Sequence, residues 1–155
     1  MVRVFVAYDS KFGNTKRAAE KIMEGMRESE GVEIDIGNVK EIDIAKVANY
    51  DAIVLGGPNH MGRPSRTMKQ FVERLAGLDL RAKKAAVFGT YSGNTRDPDR
   101  AVKKLEKMVE EKFPNLHLIS PGLSIRVYGI QGPIVEEELS RCVDYGRKIA
   151  YQLKE

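Results

Sequence analysis

The sequence predicts a doubly wound α/β fold of three layers, in which helices cover both faces of a five-stranded parallel sheet. Apolar runs of strand length alternate with amphipathic helical patterns along the whole chain. The run at 52–55 is apolar at every position, as expected of a parallel strand that is buried on both faces. Two late segments repeat apolar residues every three or four positions, which is typical of helices packed on a sheet.

The first half of the chain supplies three strands and two helices. A β-branched run near 2–8 predicts the first strand, and the helix near 15–29 follows it. The apolar face of that helix consists of Ala18, Ala19, Ile22, Met23 and Met26. Apolar runs near 32–37 and 51–56 predict the second and third strands, with a helix near 41–48 between them.

The second half supplies two further strands and three helices. Pro64 can begin the helix near 65–76, and the apolar run at 84–89 predicts the fourth strand. Apolar residues recur at helical spacing most clearly in the helices near 98–113 and 134–154. The last strand lies within 116–128 and is ambiguous, because Ser120-Pro121-Gly122 interrupts it between the apolar runs 116–119 and 123–127. We expect one domain over residues 1–155, a length that allows a full sheet and its helices.

Composition excludes several classes of protein. The 26 Lys and Arg residues exceed the 22 Asp and Glu residues, which gives a net charge of +4. Glutamates alternate with the lysines and no aromatic-basic platform occurs, so we expect no nucleic-acid partner. No apolar stretch approaches the ~20 residues that cross a bilayer, and no secretion signal begins the chain, so we expect a cytoplasmic protein without a membrane partner. His60 and His117 stand alone, which predicts no metal site, and Cys142 is expected to be a buried packing thiol.

The most informative loop follows the first strand and reads Ser10-Lys11-Phe12-Gly13-Asn14-Thr15. A strand that ends in a small-residue loop before a helix directs free N–H groups and the positive helix end toward one point, which favours a phosphate group. The loop lacks the lysine of a nucleoside triphosphate loop and the three glycines of a dinucleotide site. A terminal monophosphate therefore suits it best, the alternative being an ordinary capped turn.

Two other loops have unusual compositions. The third strand is followed by Gly56-Gly57-Pro58-Asn59-His60-Met61-Gly62-Arg63-Pro64-Ser65, and the fourth by Gly89-Thr90-Tyr91-Ser92-Gly93-Asn94-Thr95. In doubly wound sheets, ligands bind beyond the carboxyl ends of the strands, where the strand order reverses. We expect the three loops to meet there.

The first loop resembles the phosphate loop of flavodoxins, which implies an FMN cofactor and the strand order 2-1-3-4-5. The second loop resembles the G-x-P-x-x-x-G loop that lines the isoalloxazine ring in this family, and the third resembles a segment of the flavodoxin modules of diiron flavoproteins. The closing helix also resembles those modules. Tyr91 is the candidate for stacking on the flavin, although the family's tryptophan is missing, since the chain contains no Trp. The implied cofactor residues are Ser10, Lys11, Phe12, Gly13, Asn14, Thr15, Pro58, Asn59, His60, Met61, Gly62, Thr90, Tyr91, Ser92, Gly93 and Asn94.

The resemblance implies an electron carrier that binds FMN and has no catalytic side chain of its own. Its partners are then redox proteins, and the basic charge, unusual among flavodoxins, favours acidic ones. One alternative is an FMN-dependent NAD(P)H (quinone) oxidoreductase, and another is a flavin-free interaction domain. A signalling receiver domain is excluded, because the third strand ends in Gly56-Gly57 rather than in a phosphate-accepting aspartate. The oligomeric state stays open.

Overall fold

The computed structural model describes all residues, 1–155, and contains a sheet flanked by five helices. The strands are β1 (Val2–Tyr8), β2 (Val32–Asn38), β3 (Ala52–His60), β4 (Arg63–Pro64), β5 (Lys84–Ser92) and β6 (His117–Val127). The helices are α1 (Asn14–Arg27), α2 (Ile44–Val47), α3 (Arg66–Ala76), α4 (Arg100–Lys112) and α5 (Glu137–Leu153).

The five long strands are all parallel and lie in the order β2-β1-β3-β5-β6. Counted among themselves, they have the predicted order 2-1-3-4-5. Along β1 the side chains alternate between two cores, with Val4 and Val6 packing beside α1 and α5, and Phe5 and Ala7 packing beside α3 and α4. Helices therefore cover both faces of the sheet, and the predicted doubly wound fold is confirmed.

The strands around the carboxyl edge differ in extent from the prediction. β3 continues to His60 and β5 to Ser92, so both loops begin as extended strand. The two-residue strand β4 was not predicted, and it pairs antiparallel with the end of β3. Helix α2 is a single turn rather than the expected 41–48.

The interruption near Pro121 does not break the last strand. β6 runs through Ser120-Pro121-Gly122, and its register against β5 shifts between Ala86 and Phe88. Three residues of β6, 120–122, lie opposite the single residue Val87 of β5, and pairing resumes beyond this bulge at Leu123. The strand whose extent was ambiguous in the sequence is therefore continuous from His117 to Val127.

Helices α1 and α5 approach each other closely because glycines face the opposite backbone. A methyl group built on Gly146 would overlap the carbonyl oxygen of Ile22, and one built on Gly25 would overlap that of Val143.

Cys142 is fully buried in the layer that contains α1 and α5, as expected. Burial, followed by the nearby carboxylate of Glu138, raises the pKa of its thiol to about 12. No helix in the protein is both long and apolar enough to span a bilayer.

Candidate functional site

A cavity of about 850 Å³ lies where the carboxyl ends of β1, β3 and β5 meet. All but three of the predicted site residues line it: Ser10, Lys11, Phe12, Asn14, Thr15, Pro58, Asn59, His60, Met61, Gly62, Thr90, Tyr91 and Ser92. The three exceptions are Gly13, Gly93 and Asn94. The three loops thus meet at one place, as the strand order requires.

The first loop brings residues with unpaired backbone amides to the cavity wall at the beginning of α1. Gly13 is the residue before the helix and has φ +90°, a conformation that glycine adopts without strain. Its N–H donates to Ser10 Oγ at 3.1 Å, and the Lys16 N–H donates to the same oxygen at 3.3 Å. The N–H groups of residues 11, 12, 14 and 15 have no acceptor within the protein. These amides and the positive end of α1 form a site suited to an anion.

A buried hydroxyl pair joins the first loop to the third. The Oγ1 atoms of Thr15 and Thr90 lie 3.0 Å apart and form a hydrogen bond. Both side chains line the cavity and are almost fully buried, with 2% and 5% of their surface exposed. The pair fixes the start of α1 against the end of β5, and the hydroxyl that accepts in this bond keeps its own proton to donate to a ligand oxygen.

The second loop is a tight hairpin between β3 and β4. Met61 and Gly62 form its two-residue turn, with φ +56° and +79°, which is the pattern of a type I′ turn. The Gly62 N–H donates to Asn59 Oδ1 at 2.6 Å, which holds the turn in place. Met61 is a poor residue for positive φ, and its side chain is 95% exposed. Strained backbone of this kind clusters at ligand sites.

A buried pair between the end of β1 and the start of α3 was not anticipated from the sequence. Asp9 and Ser65 are both buried, and Ser65 Oγ donates to Asp9 Oδ2 at 2.6 Å. The same Oγ accepts from the Met68 N–H at 3.2 Å, so Ser65 is the N-cap of α3 and Pro64 precedes the helix rather than beginning it. The contact joins the end of β1 to the start of α3 and thereby fixes the first two loops relative to each other.

The third loop contributes Tyr91, which is half-buried at the cavity wall. Gly93 and Asn94 lie beyond the wall because the chain turns away at Gly93, where φ is +81°. Asn94 Oδ1 instead accepts a hydrogen bond from Arg126 Nη2 at 3.2 Å. The chain then returns to the cavity over residues 95–100.

Six further lining residues are absent from the predicted cofactor residues, although Thr95 belongs to the third predicted loop. They are Thr95, Arg96, Asp97, Arg100, Val127 and Ile130. Residues 95–100 lead from β5 into α4, Val127 is the last residue of β6, the strand beside β5, and Ile130 lies just beyond it. A methyl group on Gly132 would overlap the Asn14 side chain, so the segment after β6 closes directly on the first loop. The carboxyl end of β6 was the available signal, because it lies at the same edge of the sheet.

A family model described as a flavodoxin domain matches residues 5–131, which include all three loops. The chain belongs to the flavodoxin domain family. A flavodoxin of Aquifex aeolicus is 35% identical over 96 residues, which are 60% of this chain and 52% of that protein. An NAD(P)H dehydrogenase (quinone) of Methylocella silvestris is 33% identical over 101 residues, 52% of this chain and 50% of that protein. This flavodoxin domain therefore aligns with about half the length of each of these two relatives.

Solved structures show the same fold. A flavodoxin from the domain Archaea has a TM-score of 0.81 at 23% identity, covering 99% of this chain and 100% of that one. The flavodiiron protein from Giardia intestinalis has a TM-score of 0.77 at 21% identity, covering 97% of this chain and 36% of that one. The predicted flavodoxin resemblance is confirmed, and flavodiiron cores share the fold of this flavodoxin domain.

Proposed function

We propose that this flavodoxin domain binds FMN in the cavity and carries electrons between redox partners. The observation that carries the proposal is the group of four unpaired N–H groups at residues 11, 12, 14 and 15, since all four residues line the cavity at the positive end of α1. Unpaired amides at a helix N-terminus bind phosphate oxygens strongly because the hydrogen bonds are charge-assisted. A flavin mononucleotide carries such a phosphate at the end of its ribityl chain.

Other residues that line the cavity support the proposal. The hydroxyls of Ser10 and Thr15 stand beside the amides and add hydrogen-bonding groups for the phosphate. The hairpin at Met61 and the ring of Tyr91 supply apolar and aromatic surface for a planar heterocycle. When bound, FMN supplies the redox chemistry, while the protein holds the phosphate, orients the ring and limits the access of water.

An FMN titration followed by absorbance tests the proposal. The expected result is saturable uptake with one FMN per chain, and rapid reoxidation when the reduced, loaded protein meets a one-electron acceptor. Asn14→Leu replaces an amide that lines the cavity with an apolar group, and we expect it to abolish retention of FMN. Asn115→Leu makes the same change at an exposed position far along the chain and should retain FMN normally. Absence of uptake by the unaltered protein would overturn the proposal.

The alternative is an FMN-dependent NAD(P)H (quinone) oxidoreductase. It is favoured by an NAD(P)H dehydrogenase (quinone) of Rhodopseudomonas palustris (strain HaA2), which is 27% identical over 94% of this chain and 81% of that protein. Bleaching of the bound flavin by NADPH separates the two functions. The flavin of a passive carrier stays oxidised when NADPH is added without a reductase. The flavin of an oxidoreductase is reduced by NADPH directly, so its absorbance falls as soon as the two are mixed.

A further inference from the structure

Five cations surround the mouth of the cavity, and we call them the cationic rim: Lys11, Arg63, Arg96, Arg100 and Lys104. Three of them, Lys11, Arg96 and Arg100, line the cavity itself. Arg63 follows the hairpin turn in β4, and Lys104 lies one helical turn after Arg100 on the same face of α4. The Arg100 side chain crosses the hairpin, since a methyl group on Gly62 would lie 2.9 Å from Arg100 Cδ. The rim therefore joins three separate elements into one surface.

No carboxylate within the protein neutralises this rim. All of the ion pairs in the structure involve other cations, namely Lys21, Arg81, Arg141 and Arg147. The nearby acids are Asp97, which lines the cavity, and Asp99, which precedes α4, and neither pairs with a rim cation.

The rim cations also repel one another. Partial desolvation, followed by the charges of Arg100 and Arg63, lowers the pKa of Lys104. A cluster of like charges without counter-ions creates a positive potential that attracts negatively charged molecules.

Exposed apolar side chains occupy the centre of the same surface. Met61, Phe12 and Ile130 are 95%, 44% and 78% exposed, and all three line the cavity. Apolar side chains surrounded by a charged rim are the usual arrangement of a protein–protein contact surface. Because the rim spans the first loop, the hairpin and α4, it matches the extent of a protein surface better than that of one small anion.

We propose that the cationic rim and its apolar centre are the docking surface for an acidic redox protein. The proposal rests on the proposed function, because docking here would bring the partner to the mouth of the flavin cavity. The rim would attract the acidic partner from a distance, and contact with the apolar centre would hold it in place.

Isothermal titration calorimetry with two small redox proteins tests this proposal. The probes are an acidic [2Fe–2S] ferredoxin and a basic c-type cytochrome, each titrated at low and at high ionic strength. We expect the ferredoxin to bind at low ionic strength, to weaken as salt is added, and to bind more tightly than the cytochrome. The charge-reversal pair Arg63→Glu/Lys104→Glu should weaken ferredoxin binding by about tenfold or more. Neither residue lines the cavity, so uptake of FMN should be unchanged.

A matched control pair, Lys40→Glu/Lys107→Glu, makes the same change in net charge at exposed positions outside the rim. It should alter ferredoxin affinity by no more than about twofold. The proposal is overturned if the ferredoxin does not bind, if salt strengthens its binding, or if both pairs of substitutions weaken it equally. It is also overturned if the rim reversal leaves ferredoxin binding intact but stops NADPH from bleaching the flavin, since the rim then recognises a nucleotide phosphate. FMN uptake is measured on the same samples, so failure of the proposed function is seen separately from failure of docking.

Discussion

Replacing Thr15 by valine removes one hydroxyl from the buried pair while keeping the shape of the side chain. The Oγ1 atoms of Thr15 and Thr90 lie 3.0 Å apart, and both residues are almost fully buried. In Thr15→Val the hydroxyl of Thr90 loses this partner inside the protein. A buried hydroxyl left unpaired costs about 1–3 kcal/mol in the free energy of unfolding. For a chain of this length, each kcal/mol lowers the melting temperature by about 2–4 °C.

The double variant Thr15→Val/Thr90→Val separates folding from binding. Removing both hydroxyls leaves no unpaired group, so its stability should return close to that of the unaltered protein. The coupling of the two positions in a double-mutant cycle then measures the hydrogen bond itself. FMN affinity should behave differently, because the hydroxyl that we propose binds the phosphate is still absent. Loss of one hydrogen bond to a charged group, about 1.5–3 kcal/mol, weakens FMN binding about 10- to 100-fold.

Urea denaturation and FMN titration of the two single variants and the double variant give these numbers directly. Thr15→Ser, which keeps the hydroxyl, is the control and should retain both stability and affinity to within a small factor. The reasoning is refuted if Thr15→Val is as stable as the unaltered protein, or if the double variant is no more stable than the single one. Unchanged FMN affinity in Thr15→Val would show that this hydroxyl does not contribute to the phosphate site.

Three further expectations concern the scaffold. Gly146→Ala should lower the free energy of unfolding by about 1–3 kcal/mol in a urea titration, because the added methyl overlaps the Ile22 carbonyl. The control is Gly129→Ala, whose added methyl meets no atom within 4 Å, and it should leave the free energy of unfolding unchanged. Met61→Asn should raise the free energy of unfolding by about 0.5–1 kcal/mol, because asparagine adopts positive φ more readily than methionine. A lower urea midpoint for this variant would contradict the assignment of the turn. The raised pKa of the Cys142 thiol means that the unfolded chain loses its thiol proton first, so stability is lost as pH rises from 9.0 toward about 12. Cys142→Ala should flatten that dependence, and an unchanged slope would rule out the thiol as its source.

The fold could be predicted because the spacing of apolar residues indicates which faces of each strand and helix are buried. The apolar run at 52–55 specified a strand buried on both faces, and the periods of α4 and α5 specified helices that cover the sheet. The strand β4 could not be predicted in this way, because two residues have no period. Its turn also contains Met61, a residue whose own preference opposes positive φ, so tertiary structure and not local propensity sets the hairpin.

The cavity could be predicted only where its walls come directly from strand ends. The three loops after β1, β3 and β5 were found because the strand order brings those ends together. Arg96, Arg100 and Ile130 were missed because their placement depends on how the chain returns after Gly93 and after β6. Such returns are decided by packing between distant segments, which leaves no repeating signal in the sequence.

The central claim is that the amides at the start of α1 hold the phosphate of a flavin nucleotide, and a comparison of FMN with riboflavin tests it most directly. Riboflavin has the same ring and ribityl chain but no phosphate. If several charge-assisted hydrogen bonds hold that group, at about 1.5–3 kcal/mol each, calorimetry should find FMN bound at least about 100-fold more tightly than riboflavin. Equal affinities for the two compounds, or no binding of either, would contradict the claim.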